Sequence, residues 1–110
     1  MKKKFSDAFH GLSLALHHKA VLIQCVLGGM AICGGLIIRL DFYEWLAFIV
    51  CITMVIASEV MNTAIEKIGD YLNTEKDERI RTIKDLSSAA VLVSSMGALA
   101  VCIMCVIRRL

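Results

Sequence analysis

The sequence predicts an all-α membrane protein with one surface helix and three membrane-spanning helices. Of its 110 residues 58% are hydrophobic, and the mean hydropathy is +0.74. This is more apolar than a soluble domain of the same size. Three long uncharged segments alternate with short charged ones, and the chain contains no proline. A formal net charge of +2 is too small to indicate nucleic-acid binding. The chain is therefore predicted to form a single membrane domain without a nucleic-acid partner.

The first predicted element is an amphipathic helix over residues 1–18. Phe5, Phe9, Leu12 and Leu16 recur at helical spacing after three lysines, which is typical of a helix in the membrane interface. Residues 20–40 follow as the first span. Its apolar run is longer than that of a signal peptide and no cleavage site follows it, so this span is predicted to be retained.

The second helix is predicted over residues 43–72 and the third over residues 84–108. They are joined by a charged connection at residues 73–83. The N-terminus and this connection share one side of the membrane, and together with the adjoining helix ends this side holds nine of the 12 Lys and Arg residues. The positive-inside rule therefore places the N-terminus in the cytoplasm of a bacterial inner-membrane protein. The five cysteines lie within the spans and are interpreted as small hydrophobic residues.

A polar stripe follows the uncharged run at residues 45–58. Glu59, Asn62, Thr63, Glu66 and Asp70 fall within an arc of about 100° on a helix. The uncharged run is only about 21 Å long, so Glu59 is expected near or just inside the membrane boundary. An ionisable side chain at that depth is costly and indicates a functional site. The alternative is a helix end that reaches water, where the carboxylates are merely solvated.

This stripe resembles the signature of the prokaryotic diacylglycerol kinase and undecaprenol kinase family of small integral-membrane lipid kinases. Glu59, Asn62, Glu66 and Asp70 match its first block, and Lys84-Asp85 with the following small residues matches its second. The resemblance implies ATP-dependent phosphorylation of a lipid alcohol, with Mg²⁺, in a homotrimer whose active sites are shared between neighbouring subunits. The N-terminal pattern slightly favours undecaprenol over diacylglycerol as the substrate.

The chemistry of phosphoryl transfer suits these positions. It needs a base at the lipid hydroxyl, a divalent ion on the phosphates and cations around them. The carboxylate nearest the lipid is the candidate base, and the next one suits Mg²⁺, which prefers oxygen ligands. With the roles that the resemblance implies, the predicted site is catalytic at Glu59 and Asn62, ATP-binding at Glu66, Asp70, Glu75, Lys76, Lys84 and Asp85, metal-binding at Glu66, and lipid-binding at Glu59 and Ser88.

One family feature is absent. Members usually carry a further metal-binding Glu after the N-terminal Gly-Leu, but residues 16–24 contain no carboxylate. His17 and His18 lie in this region, although imidazole suits Zn²⁺ better than Mg²⁺. Two alternative functions are therefore kept. One is a divergent homologue that binds lipid or nucleotide with weak or no turnover. The other is a small transporter, although that class tends to have four short spans with the acid in the first.

Overall fold

The protein is a bundle of long helices. The computed structural model describes residues 2–72 and 77–110, and these residues form four α-helices and no strand. They are α1 (Lys2–Leu16), α2 (Lys19–Ile38), α3 (Phe42–Leu72) and α4 (Glu78–Arg108). Helices α2, α3 and α4 are long and apolar enough to cross a membrane. The predicted all-α class, with a short first helix and three spans, is confirmed.

Helix α1 keeps most of its apolar side exposed. Phe5, Phe9 and Leu12 are all exposed, and Ala15 is its one buried residue. The helix ends at Leu16, and the extended backbone of His18 then starts α2. Exposed aromatic side chains beside three lysines suit a helix that lies in the membrane interface.

Helices α3 and α4 form an antiparallel pair whose contacts recur every seven residues. We call this interface the seam. A Cβ atom on Gly69 would lie 3.1 Å from Ile80 Cγ2, which sets the register at one end. At the other end, Val101 packs against the buried cluster that contains Phe48. A repeat of seven keeps one face of each helix turned toward its partner. This register pairs Phe48 with Val101, Val55 with Ser94, Asn62 with Ser87, and Gly69 with Ile80.

The turn between α2 and α3 is held by its own backbone and side chains. Arg39 adopts a left-handed conformation (φ 59°), and its N–H donates to the Gly35 carbonyl. The Asp41 N–H donates to Glu44 Oε1 at 3.0 Å, and the Glu44 N–H donates to Asp41 Oδ1 at 2.9 Å. This reciprocal pair is a capping box, so it fixes where α3 begins.

Asp41, Glu44, Arg108 and Arg109 join three helix ends, and we call them the far-end cluster. Arg109 donates to both carboxylate oxygens of Glu44, at 2.5 and 2.6 Å, and Glu44 is only 6% exposed. Arg109 also donates to the carbonyls at residues 38 and 39, at 3.2 and 3.0 Å. Arg108 pairs with Asp41 at 2.9 Å. The cluster thereby joins the end of α2, the start of α3 and the end of α4.

Helix α4 begins at Glu78, inside the charged connection predicted at residues 73–83. Asp77 accepts a hydrogen bond from the Arg79 N–H at 2.9 Å and caps the helix. The Arg79 side chain also pairs with this carboxylate and holds the pKa of Asp77 below its usual range. The cap therefore extends α4 toward the N-terminus by nearly two turns beyond the predicted boundary.

Candidate active site

The polar stripe of α3 changes from buried to exposed along the helix. Glu59 and Asn62 are each 7% exposed, whereas Glu66 and Asp70 are exposed. Thr63 donates its hydroxyl to the Glu59 carbonyl at 2.9 Å, so it satisfies backbone rather than another side chain of the stripe. The stripe thus offers a sheltered carboxylate at one end and water-accessible carboxylates at the other.

Asn62 links the two parts of the stripe. Its Nδ2 donates to Glu66 Oε1 at 2.8 Å, which holds the Glu66 side chain along the helix. A carboxylate has about four lone-pair sites, so one hydrogen bond leaves Glu66 able to bind a cation. The Asn62 Oδ1 atom is buried and has no hydrogen-bond partner among residues 2–72 and 77–110. Buried polar atoms without a partner are uncommon and often mark a functional site.

Lys84 brings a positive charge from α4 to the exposed end of the stripe. Its ammonium forms an ion pair with Asp70 of α3. Gly69 makes this approach possible, because a Cβ atom there would lie 2.8 Å from Lys84 Cε. The stem of Lys84 therefore lies directly against the α3 backbone, and its charged end lies beside a carboxylate that faces water.

The other predicted residues of α4 are placed differently. Asp85 and Ser88 are both exposed, and neither forms a hydrogen bond to the stripe in the described part of the chain. The neighbouring Ser87 is instead buried, at 8% exposed, on the side that faces α3. Sequence reasoning missed Ser87. The available signal was its position three residues after Lys84, on the same helical face. Glu75 and Lys76 lie outside the described residues.

The sequence matches one protein family over most of its length. The family model for prokaryotic diacylglycerol kinase matches residues 6–106. The chain belongs to this family. The family consists of integral-membrane lipid kinases, so the protein is a lipid kinase. A comparison with individual curated proteins finds no match.

The donor atoms of the site are compatible with Mg²⁺, which kinases generally use together with ATP. In the described ranges no three His, Cys, Asp or Glu side chains come together in a metal-binding group. However, Mg²⁺ is commonly held by one or two carboxylates, with water and substrate phosphates completing its shell. Glu66 supplies such a carboxylate, and it is exposed to water.

The region that lacks the expected carboxylate is occupied by the junction of α1 and α2. His17 Nδ1 lies 2.7 Å from the Ser13 carbonyl oxygen, and His18 occupies the position before α2. A hydrogen bond to backbone orients the His17 ring toward α1. This contact gives His17 a local structural role.

An apolar cavity of about 510 Å³ lies beside the deep end of the stripe, between α2, α3 and α4. Val55 lines it, and Val55 is one helical turn from Glu59. Gln24 and Ser95 are polar members of a lining that is otherwise mostly apolar. The buried carboxylate thus has apolar space next to it on the membrane side.

Proposed function

We propose that the protein transfers the γ-phosphoryl group of ATP to the hydroxyl of a membrane lipid alcohol at the cytoplasmic face of the bacterial inner membrane. Undecaprenol is favoured over diacylglycerol. The observation that supports this proposal most strongly is the burial gradient of the polar stripe. A base must reach a hydroxyl at the lipid boundary while ATP stays in water, and one helix carries carboxylates at both depths.

In this proposal Glu59 accepts the proton of the lipid hydroxyl as its oxygen bonds to the γ-phosphorus. The bond from that phosphorus to the β-phosphate oxygen breaks, and ADP leaves with the electron pair. Asn62 orients Glu66, which would hold Mg²⁺. Bound Mg²⁺ neutralises charge on the phosphates. Lys84 contacts phosphate oxygens as a mobile point charge.

Further roles are proposed for Asp70 and for residues outside the stripe. Asp70, Asp85, Glu75 and Lys76 bind the nucleotide, and Ser88 contacts the lipid. Asp85 and Ser88 are exposed in the single chain, which supports a homotrimer in which a neighbouring subunit covers them. An active site shared between subunits would use both faces of α4.

The deciding experiment measures phosphate transfer from ATP in detergent micelles, with undecaprenol and diacylglycerol offered separately and Mg²⁺ titrated. Wild type should label one lipid saturably, and Glu59→Gln should lower kcat by about 10²- to 10⁴-fold, the usual contribution of a general base. Glu78→Gln is the matched control, since this exposed Glu lies in the first turn of α4 outside the stripe. Folded wild-type protein that labels neither lipid would overturn the proposal.

A second candidate function is a homologue that binds lipid or nucleotide with little or no turnover. It is favoured by the absence of a carboxylate in residues 16–24. Saturable binding of ATP without transfer to either lipid would support this candidate. A high Mg²⁺ requirement with normal transfer would instead indicate an active kinase whose metal binding is weakened by the absence of that carboxylate.

A further inference from the structure

Ser87 lies opposite Asn62 in the seam. Gly69 and Ile80 contact each other across the helices, and Asn62 and Ser87 are each seven residues from that pair. Seven residues rise about 10.5 Å along a helix. In an antiparallel pair the two steps run in the same direction in space. Gly69 meets both Ile80 and Lys84, so Asn62 lies level with the turn of α4 from Ser87 to Val91.

The second anchor of the register gives the same result. Glu44 contacts Cys105 at the far end of the seam. Glu44 lies as many residues before Gly69 on α3 as Cys105 lies after Ile80 on α4, so the two contacts share one register. Asn62 and Ser87 fall between these two contacts. Both are more than nine-tenths buried, so each side chain faces the neighbouring helix rather than the surface.

The two side chains are chemically complementary. The Asn62 amide uses Nδ2 to hold Glu66, whereas its buried Oδ1 has no donor within the described ranges. A serine hydroxyl can donate one hydrogen bond and can rotate to aim it. A polar contact longer than a direct hydrogen bond is commonly completed by one bridging water. Ser87 is thus suitably placed to serve the one buried acceptor of the described stripe that lacks a donor.

We propose that Ser87 is a positioning residue of the kinase site, whose hydroxyl donates to Asn62 Oδ1 through one bridging water. This contact fixes the amide so that Nδ2 faces Glu66. The inference rests on the proposed function for its catalytic meaning. The contact itself, however, is a property of the folded chain and can be tested without turnover.

The spectroscopic test uses the side-chain amide of Asn62. Asn62 and Asn73 are the two asparagines of the chain. Protein labelled with ¹⁵N-asparagine therefore gives two side-chain NH₂ signals in micelles, and Asn62→Asp identifies one by its loss. Ser87→Ala should shift the Asn62 signal and speed its proton exchange. Ser94→Ala is the matched control, because Ser94 lies one repeat further along the seam opposite Val55 and is half-buried.

The kinetic test asks whether the contact matters for the site. Ser87→Ala should raise the Mg²⁺ concentration for half-maximal activity about two- to tenfold, the factor expected for one hydrogen bond. Ser87→Thr should restore it, and Ser94→Ala should match wild type. An inactive wild type would refute the kinase proposal alone, since the amide signal still reports the contact.

The proposal on Ser87 is overturned if the Asn62 signal is the same in Ser87→Ala, Ser94→Ala and wild type. If Ser87→Ala fails to fold, the isosteric pair Ser87→Thr and Ser87→Val decides, because only the first retains a hydroxyl. A wild-type Asn62 signal in Thr and a shifted one in Val supports the contact. Identical signals in both variants refute it.

Discussion

Gly69→Ala tests how the seam positions Lys84. The added Cβ atom would lie 2.8 Å from Lys84 Cε and 3.1 Å from Ile80 Cγ2. Ordinary contacts between carbon atoms are about 3.5–4.0 Å. The Lys84 stem must therefore withdraw by about 1 Å, whereas Ile80 needs only a few tenths of an ångström. The substitution moves the ammonium away from its position at Asp70 without changing any charge.

The expected effect is larger on activity than on stability. Replacing Gly by Ala in a helix gains about 1 kcal/mol, and overpacking costs about 1–3 kcal/mol. The net loss of stability is therefore about 0–2 kcal/mol. A misplacement of 1 Å can lower catalysis by about 10²-fold. We expect kcat/KM for ATP to fall by about ten- to a hundredfold.

The assay is lipid-dependent ATP consumption in micelles with ATP varied, together with thermal unfolding of each variant. Gly97→Ala is the control, because a Cβ atom there meets nothing within 4 Å, while the gain in helix propensity is the same. It should keep wild-type kinetics. If Gly69→Ala is folded and retains the wild-type kcat/KM for ATP, the reasoning that Gly69 positions Lys84 at the nucleotide is wrong.

Three further predictions follow from the contacts of charged residues. Arg109→Lys should lower the unfolding temperature in micelles, because a lysine cannot reproduce the bidentate pair and the carbonyl contacts of the guanidinium. The cap of α4 should fray at low pH, because the side-chain hydrogen bond from Arg79 lowers the pKa of Asp77. The contribution of Asp77 to stability is complete above its unfolded-state pKa and is lost as pH falls through its folded-state pKa. Amide exchange of the Arg79 N–H against pH measures this, and Asp77→Asn should remove the dependence. Lys84→Gln and Asp70→Asn should each raise KM for ATP. Because the two side chains pair, the double variant should raise KM by less than the product of the two single effects.

Each of these predictions has an opposing result. Wild-type unfolding temperature in Arg109→Lys, with Arg39→Lys as the exposed control, would show that bidentate geometry is unimportant. An Arg79 amide whose exchange responds to pH equally in Asp77→Asn would refute the cap argument. Strictly multiplicative effects in the double variant would mean that the ion pair does not couple the two residues at the nucleotide.

The fold class was predictable because apolar run length and charge spacing report directly on membrane spans. Residues 20–40 and 84–108 were predicted as spans from the length of their uncharged apolar runs, and the structure places long apolar helices over both. The start of α4 was not predictable from hydropathy. Glu78 to Ile83 are mostly charged or polar, and the helix begins there at the cap formed by Asp77.

The candidate site was accessible to sequence reasoning only where its residues share one helix. The stripe on α3 follows from the helical period, and the roles of its members stay predictions. Contacts between helices depend on register, which a single sequence does not specify. The Lys84 contact with Asp70, the burial of Ser87 in place of Ser88, and the Arg109 contacts with Glu44 all belong to this second class.

The far-end cluster also affects how far the site residues can move. Because it joins three helix ends, it favours a pivot near Arg109 for a tilt of α4 against α3. Lys84 is 25 residues from that pivot, which is about 37 Å along the helix. A tilt of about 3° therefore carries Lys84 through about 2 Å, while the helix ends at the pivot scarcely move. A small tilt about the far-end cluster therefore produces a large displacement at the proposed nucleotide site.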